Sequence, residues 1–126
     1  MLRAILAVVA ALIAWIVTAT ALNLLIRFAW SEYAAAEPGM SFILSMMLAR
    51  LLLGVIASFV AGVVAAAVAK DRKWPVYVVA IILLAAFIPV HYSLWARFPL
   101  WYHLFFLASL VAFSYLGAVT RWRYPK

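Results

Sequence analysis

Long continuous apolar runs, separated by short polar segments, occupy most of this 126-residue chain. Four runs can be delimited, at about Ala4–Phe28, Phe42–Ala69, Trp74–Tyr92 and Trp101–Thr120. Each is close to or above the roughly 20 residues that a helix needs to cross the core of a bilayer. The runs do not alternate between apolar and polar positions, which excludes the strands of a membrane β-barrel. The pattern therefore predicts an all-α integral membrane protein, folded as an antiparallel four-helix bundle that forms a single domain over residues 1–126.

The composition agrees with a chain whose main solvent is lipid. Apolar residues make up 72% of the chain and charged residues 10%, whereas soluble domains are roughly half apolar and a quarter charged. The absence of Cys excludes disulfides and thiolate chemistry. The net charge is +7. Because the basic residues flank the spans, we interpret this charge as a topology signal and a contact with membrane lipids, and we predict no nucleic-acid partner.

The distribution of Lys and Arg between the two ends of the spans predicts the orientation. The richer side carries Arg3, Lys70, Arg72, Lys73, Arg121, Arg123 and Lys126, and the poorer side carries Arg27, Arg50 and Arg97. Loops on the cytoplasmic side of a membrane carry the excess of Lys and Arg. We therefore predict a multi-pass protein with both termini in the cytoplasm.

Small residues predict how the helices pack, because lipid-embedded helices associate through close packing of small side chains. In the second span, small residues recur every four positions at Gly54, Ser58, Gly62 and Ala66, beside a stripe of Ala57, Ala61, Ala65 and Ala69. The first span has small residues at alternating three- and four-residue spacing, at Ala4, Ala7, Ala11, Ala14, Thr18 and Ala21. We expect these two surfaces to meet. The alternative is that one of them forms a contact between copies of the chain.

Ionisable side chains gather at the predicted outer boundary of the membrane, as a rise of about 1.5 Å per helical residue shows. This candidate polar cluster comprises Arg27, Glu32, Glu37, Arg50, His91, Arg97 and His103. Arg50 falls on the same helical line as Gly54 and should point into the bundle, where a cation needs a partner. Two interpretations stay open. Arg50 either pairs with Glu32 or Glu37, which ties the first loop to the second span, or it forms an anion site with Arg27 and Arg97.

The remaining polar residues predict little chemistry. Asn23 and Arg27 form a polar line opposite the small residues of the first span, and we expect Arg27 to snorkel outward. His91 and His103 lie at similar depth and could ligate a haem iron or a chlorophyll. They are also typical interfacial residues, so we predict no cofactor and no metal. No spacing selects a catalytic arrangement of an acid, a His and a hydroxyl, and we do not expect an enzyme.

Three segments resemble a known group of proteins. They are Ala34–Pro38 before the second span, Met46–Arg50 within it, and Arg97–His103 at the start of the fourth span. Together they resemble a group of small, uncharacterised four-span proteins of the bacterial inner membrane, to which no activity is assigned. The resemblance implies a bacterial inner-membrane setting and nothing about chemistry.

Two functions fit these observations. The first is a non-enzymatic accessory or assembly subunit of a larger membrane complex, or a homo-oligomer. The alternative is a small transporter or lipid-handling protein that uses the outer cluster of Arg, Glu and His residues. An inward cavity would favour the second function, and a solid bundle the first.

Overall fold

The computed structural model describes residues 1–124, so the basic residue Lys126 lies outside the described part. The helices are α1 (Leu2–Ala29), α2 (Ser31–Ala36), α3 (Leu44–Ala69), α4 (Trp74–Ser93) and α5 (Leu100–Arg123). Two short 3-10 helices, Glu37–Gly39 and Trp95–Arg97, lie in the connections. Over residues 1–124 the chain forms no strand, and the all-α prediction is confirmed.

Within the described residues, α1, α3, α4 and α5 are long and apolar enough to cross a membrane. Their ends lie within three residues of the four runs delimited from the sequence. The agreement has a simple cause. Backbone polar groups at membrane depth must be bonded inside the segment, so an apolar run of this length becomes a helix from end to end.

The bundle has two ends that differ in their connections. The loop end carries the connection that includes α2 and the connection between α4 and α5. The hairpin end carries the short link Lys70–Lys73 between α3 and α4. Gly54 of α3 lies against Phe106 of α5, and Gly62 of α3 lies against Ser114 of α5. Both partners advance by eight residues, so α3 and α5 run parallel, while α1 and α4 run in the opposite direction.

A close helix contact joins α3 to α5 through two glycines. A Cβ atom added to Gly62 would overlap the backbone carbonyl of Ser114, and one added to Gly117 would overlap the carbonyl of Phe59. Such backbone approach is possible only where a side chain is missing. The two glycines therefore allow α3 and α5 to pack with backbone contact in the hairpin half of the bundle.

We expected the small-residue line of α3 to face α1, but only part of it does so. Gly54 and Gly62 face α5, whereas Ser58 accepts a hydrogen bond of 3.1 Å from Nε1 of Trp15 in α1. The line is thus shared between two helices, because α5 contributes a glycine of its own, Gly117, at the point of closest approach. Ala66, the last member of the line, is buried near the hairpin end.

In the half of α1 nearer the loop end, the buried surface also differs from the one expected. Ala4, Ala7 and Ala11 are fully buried, but the buried line then passes through Trp15. The other small residues, Ala14, Thr18 and Ala21, are half-buried or exposed. Trp15 is much larger than Ala, and above it a cavity separates α1 from the rest of the bundle.

Candidate functional site at the loop end

Arg50 lies inside the bundle at the loop end and contacts several elements. Its Nε atom donates a hydrogen bond of 3.2 Å to the hydroxyl of Tyr102 in α5, and its Nη1 atom donates one of 3.0 Å to the hydroxyl of Tyr33 in α2. The guanidinium carbon lies 4.7 Å from the centre of the Phe42 ring. These contacts use the planar, forked geometry that distinguishes Arg from Lys. Nη2 takes part in none of them.

Glu37 is the acid at the centre of this site. Its Oε1 atom lies 3.0 Å from Nε of Arg27, and its Oε2 atom accepts a hydrogen bond of 2.8 Å from Asn23. Oε2 lies 3.9 Å from Nη1 of Arg50. The carboxylate thus forms its short contacts with α1 and only a long ion pair with Arg50. We call Asn23, Arg27, Tyr33, Glu37, Arg50 and Tyr102 the loop-end network.

Tyr33 connects the two halves of the loop-end network. Its hydroxyl donates a hydrogen bond of 2.7 Å to Oδ1 of Asn23 while it accepts one from Arg50. Burial raises the pKa of Tyr33 above its usual value, against the opposing effect of the Arg50 guanidinium. The phenol therefore keeps its proton and remains a donor to Asn23.

His91 and His103 are in direct contact beside this network. Their Nδ1 atoms lie 2.6 Å apart, and both side chains are buried. Nε2 of His103 lies 3.3 Å from the backbone carbonyl of Trp95. The rings pack among aromatic side chains, with Phe106 4.7 Å from His91 and Trp95 4.8 Å from His103 between ring centres. The pair joins α4 to α5, and over residues 1–124 no group of three or more metal-ligating side chains forms.

Arg27, Arg97 and Glu32, the other charged members of the candidate polar cluster, have different surroundings from Arg50. Arg27 turns toward Glu37 rather than only outward, although its side chain is 46% exposed. Arg97 is exposed and donates a hydrogen bond of 2.6 Å to the carbonyl of Gly39, so it fastens the two loops and stays outside the loop-end network. Glu32 is exposed on α2. The acid of the site is therefore Glu37.

A cavity of about 400 Å³ opens beside the loop-end network. Its polar end is lined by Asn23, Arg27, Glu37 and Arg50. The rest of its wall comes from α1, α3, α4 and α5, through Trp15, Ala19, Thr20, Leu24, Leu53, Phe87 and Phe106. Charged groups at one end and aromatic and aliphatic side chains at the other give the cavity an amphipathic lining. The two guanidinium groups and the single carboxylate leave its polar end with a net charge of +1.

Tyr33 and Tyr102 are the site residues that sequence reasoning missed. Neither belongs to the candidate polar cluster predicted from the sequence, yet both are almost fully buried and contact Arg50. The available signal was Arg50 itself. An inward guanidinium has five donors, and with two acids on that side of the bundle, tyrosine hydroxyls at the same depth were the remaining acceptors.

Fold and site together define the class of this protein. With four helices able to cross a membrane over residues 1–124, it is an all-helical, multi-pass membrane protein. Comparison of the chain with family models, curated proteins and solved structures gives no match.

Proposed function

We propose that the protein binds an anionic lipid in the loop-end cavity and acts as a lipid-handling membrane protein, without catalysing a reaction. The observation that carries this proposal is the lining of the cavity. One continuous space joins a polar end of net charge +1 to a wall of aromatic and aliphatic side chains. A ligand that fills such a space has an anionic head and an apolar body.

The polar end suits an anionic head because its cations are already oriented. Two tyrosine hydroxyls and the Phe42 ring hold the Arg50 guanidinium in place. Preorganised donors bind a ligand without a further cost of ordering the side chain. Glu37 cancels only one of the two positive charges at this end, so an incoming anion meets a net attraction.

The apolar end suits an acyl chain. Along α1 the lining extends from Arg27 to Trp15, twelve residues or about 18 Å of helix at the usual rise. Trp15 is fixed at the bottom of the cavity by its hydrogen bond to Ser58. A volume of about 400 Å³ falls in the usual range for small-molecule sites of roughly 300–1,000 Å³.

The packing of the hairpin half favours lipid handling over conduction of a solute. Below the cavity, α3 and α5 meet with backbone contact at Gly62 and Gly117. A transported solute would need a path from the cavity past this contact to the hairpin end. The earlier expectation of an accessory or assembly subunit, or of a homo-oligomer, stays a prediction that lipid binding neither needs nor contradicts.

The Lys and Arg bias supports a placement of the site in the membrane. We propose that the hairpin end faces the cytoplasm, with both termini there, and that the membrane is the bacterial inner membrane implied by the sequence resemblance. The loop-end cavity then takes its ligand from the outer leaflet.

Lipid retention tests the proposal. The purified protein is reconstituted with phosphatidylglycerol and phosphatidylcholine, and native mass spectrometry counts the lipids that stay bound. We expect the protein to retain phosphatidylglycerol in preference to phosphatidylcholine, and Arg27→Gln to reduce this preference several-fold. The matched control is Arg97→Gln, which removes the same charge at the same end but outside the cavity. Equal losses in both variants, or no preference in the unmodified protein, would reject the proposal.

A further inference from the structure

The hairpin end of the bundle carries a second cavity, of about 490 Å³, separate from the loop-end site. The end of α3, the hairpin and the end of α5 form its wall. The lining residues are Ala66, Lys70, Asp71, Lys73, Arg121 and Trp122. We call this the hairpin-end pocket.

The hairpin-end pocket is strongly basic for its size. Among the described residues that line it, three side chains are cationic, Lys70, Lys73 and Arg121, and one is acidic, Asp71. The pocket also lies where two spanning helices end, and therefore at the level of lipid headgroups. Basic pockets at this level of a membrane protein suit anionic headgroups.

Trp122 gives an independent indication of a ligand. Its indole Nε1 atom is buried, and in the part of the chain that the structure describes it has no hydrogen-bond partner. An indole nitrogen can only donate, and buried donors in proteins are nearly always paired. The Nζ atom of Lys73 lies 4.9 Å from the centre of the same ring. Trp122 thus lines the pocket with an indole donor that has no acceptor among the described residues, and the Lys73 ammonium lies over its ring.

We propose that the hairpin-end pocket binds a phosphate group, the anion shared by phospholipid headgroups and inorganic phosphate. A phosphate offers several acceptor oxygens, so it can take the Trp122 N–H and a lysine ammonium at once. Lys73 is exposed, and its flexible side chain can turn from the indole ring toward the entering anion. The site is distinct from the loop-end cavity and does not depend on the function proposed for it.

The test compares two double variants that each remove two positive charges from the hairpin end. Lys70→Gln/Lys73→Gln alters the pocket, whereas Arg72→Gln/Arg123→Gln alters exposed residues outside it. Both are made together with Ala19→Phe, which fills the loop-end cavity, so that only the hairpin-end pocket is measured. One arm counts phosphatidylglycerol retained from nanodiscs by native mass spectrometry. The other arm titrates inorganic phosphate by calorimetry into the protein in phosphatidylcholine nanodiscs.

We expect one bound phosphate group per protein, lost in the Lys70/Lys73 variant and kept in the Arg72/Arg123 variant. Trp122→Phe keeps an aromatic ring but removes the donor, and should weaken binding about tenfold, the value of one hydrogen bond to a charged group. Retained phosphatidylglycerol without a response to inorganic phosphate identifies a lipid headgroup as the source, and the reverse identifies free phosphate. Equal losses in the two double variants, unchanged binding in Trp122→Phe, or no binding of either ligand would overturn the proposal.

Discussion

The Nδ1 atoms of His91 and His103 lie 2.6 Å apart, with the two rings nearly perpendicular at 87°. At this distance only one of the two nitrogens carries a proton. Nε2 of His103 faces the carbonyl oxygen of Trp95, which can only accept, so the proton of neutral His103 is on Nε2. Nδ1 of His103 is then the acceptor, and Nδ1–H of His91 is the donor that ties α4 to α5.

This hydrogen bond predicts that substitutions of the two histidines have non-additive effects on stability. His91→Phe leaves a buried acceptor on His103 without its donor, which commonly costs about 1–3 kcal/mol. The double change His91→Phe/His103→Phe removes both partners and should recover part of that loss. The coupling energy is obtained from thermal unfolding in detergent of the unmodified protein, the single variants His91→Phe and His103→Phe, and the double variant. Losses that simply add would contradict the hydrogen bond.

Arg50 is predicted to depend on the shape of its guanidinium more than on its charge. Lysine cannot hold Tyr33 and Tyr102 at once while it lies over the Phe42 ring. Arg50→Lys should therefore lower the free energy of unfolding by about 1–3 kcal/mol, measured by denaturation in mild detergent. Arg97→Lys, at an exposed arginine of the same end, is the control and should have little effect.

Nη1 of Arg50 lies 3.9 Å from Oε2 of Glu37, and this long distance predicts the result of exchanging the two charges. Arg50→Glu should lower the yield of folded protein. Adding Glu37→Arg, which swaps the two charges, should not restore that yield, because the short contacts of Arg50 are to hydroxyl groups. A substantial recovery in the swapped protein would mean that the ion pair, and not the tyrosine contacts, holds Arg50.

Gly62 is predicted to tolerate no side chain. Even Gly62→Ala places a carbon atom against the backbone of Ser114, which cannot move without displacing α5. Overpacking of this kind costs roughly 1–3 kcal/mol, seen as a lower midpoint of thermal unfolding. Ala112→Val enlarges an exposed residue on the partner helix and should be close to neutral. If both variants behave alike, the close approach of α3 and α5 is wrong.

The fold could be predicted from the sequence because few structures satisfy the backbone hydrogen bonds of a chain in lipid. Run length and continuity determined the four spans, and the hydrogen-bonding requirement made each a helix. Which helix each small residue faces could not be predicted from spacing. Gly54, Ser58 and Gly62 lie on one line, yet α1 and α5 share it, because Gly117 and Trp15 on the partner helices decide the contacts.

The site could be predicted in part for a similar reason. Depth along the spans brought Arg27, Arg50, His91 and His103 to one level, and their side chains do lie near that end. Depth says nothing about rotation around the bundle axis, so it could not separate Arg97 from the loop-end network. It also could not show that Glu37 would bind Arg27 and Asn23 more closely than Arg50.

The proposed orientation gives a further prediction, which rests on seven basic residues on one side of the spans against three on the other. Reporter fusions after residue 126 and within Lys70–Lys73 should both give a cytoplasmic signal, and a fusion within Ser31–Ser41 should give an external one. A cytoplasmic signal from the Ser31–Ser41 fusion would mean that the orientation is the opposite one, with the loop-end cavity in the other leaflet.

The most direct measurement of the central claim is lipid retention after the loop-end cavity is filled. Ala19 lines the cavity, whereas Ala21, two residues further along α1, is exposed on the outside of the bundle. Ala19→Phe and Ala21→Phe add the same side chain, leave every charge in place and are each counted by native mass spectrometry after reconstitution with phosphatidylglycerol. We predict that Ala19→Phe loses one bound phosphatidylglycerol and that Ala21→Phe retains it. Equal retention of phosphatidylglycerol by the two variants would contradict lipid binding in the cavity.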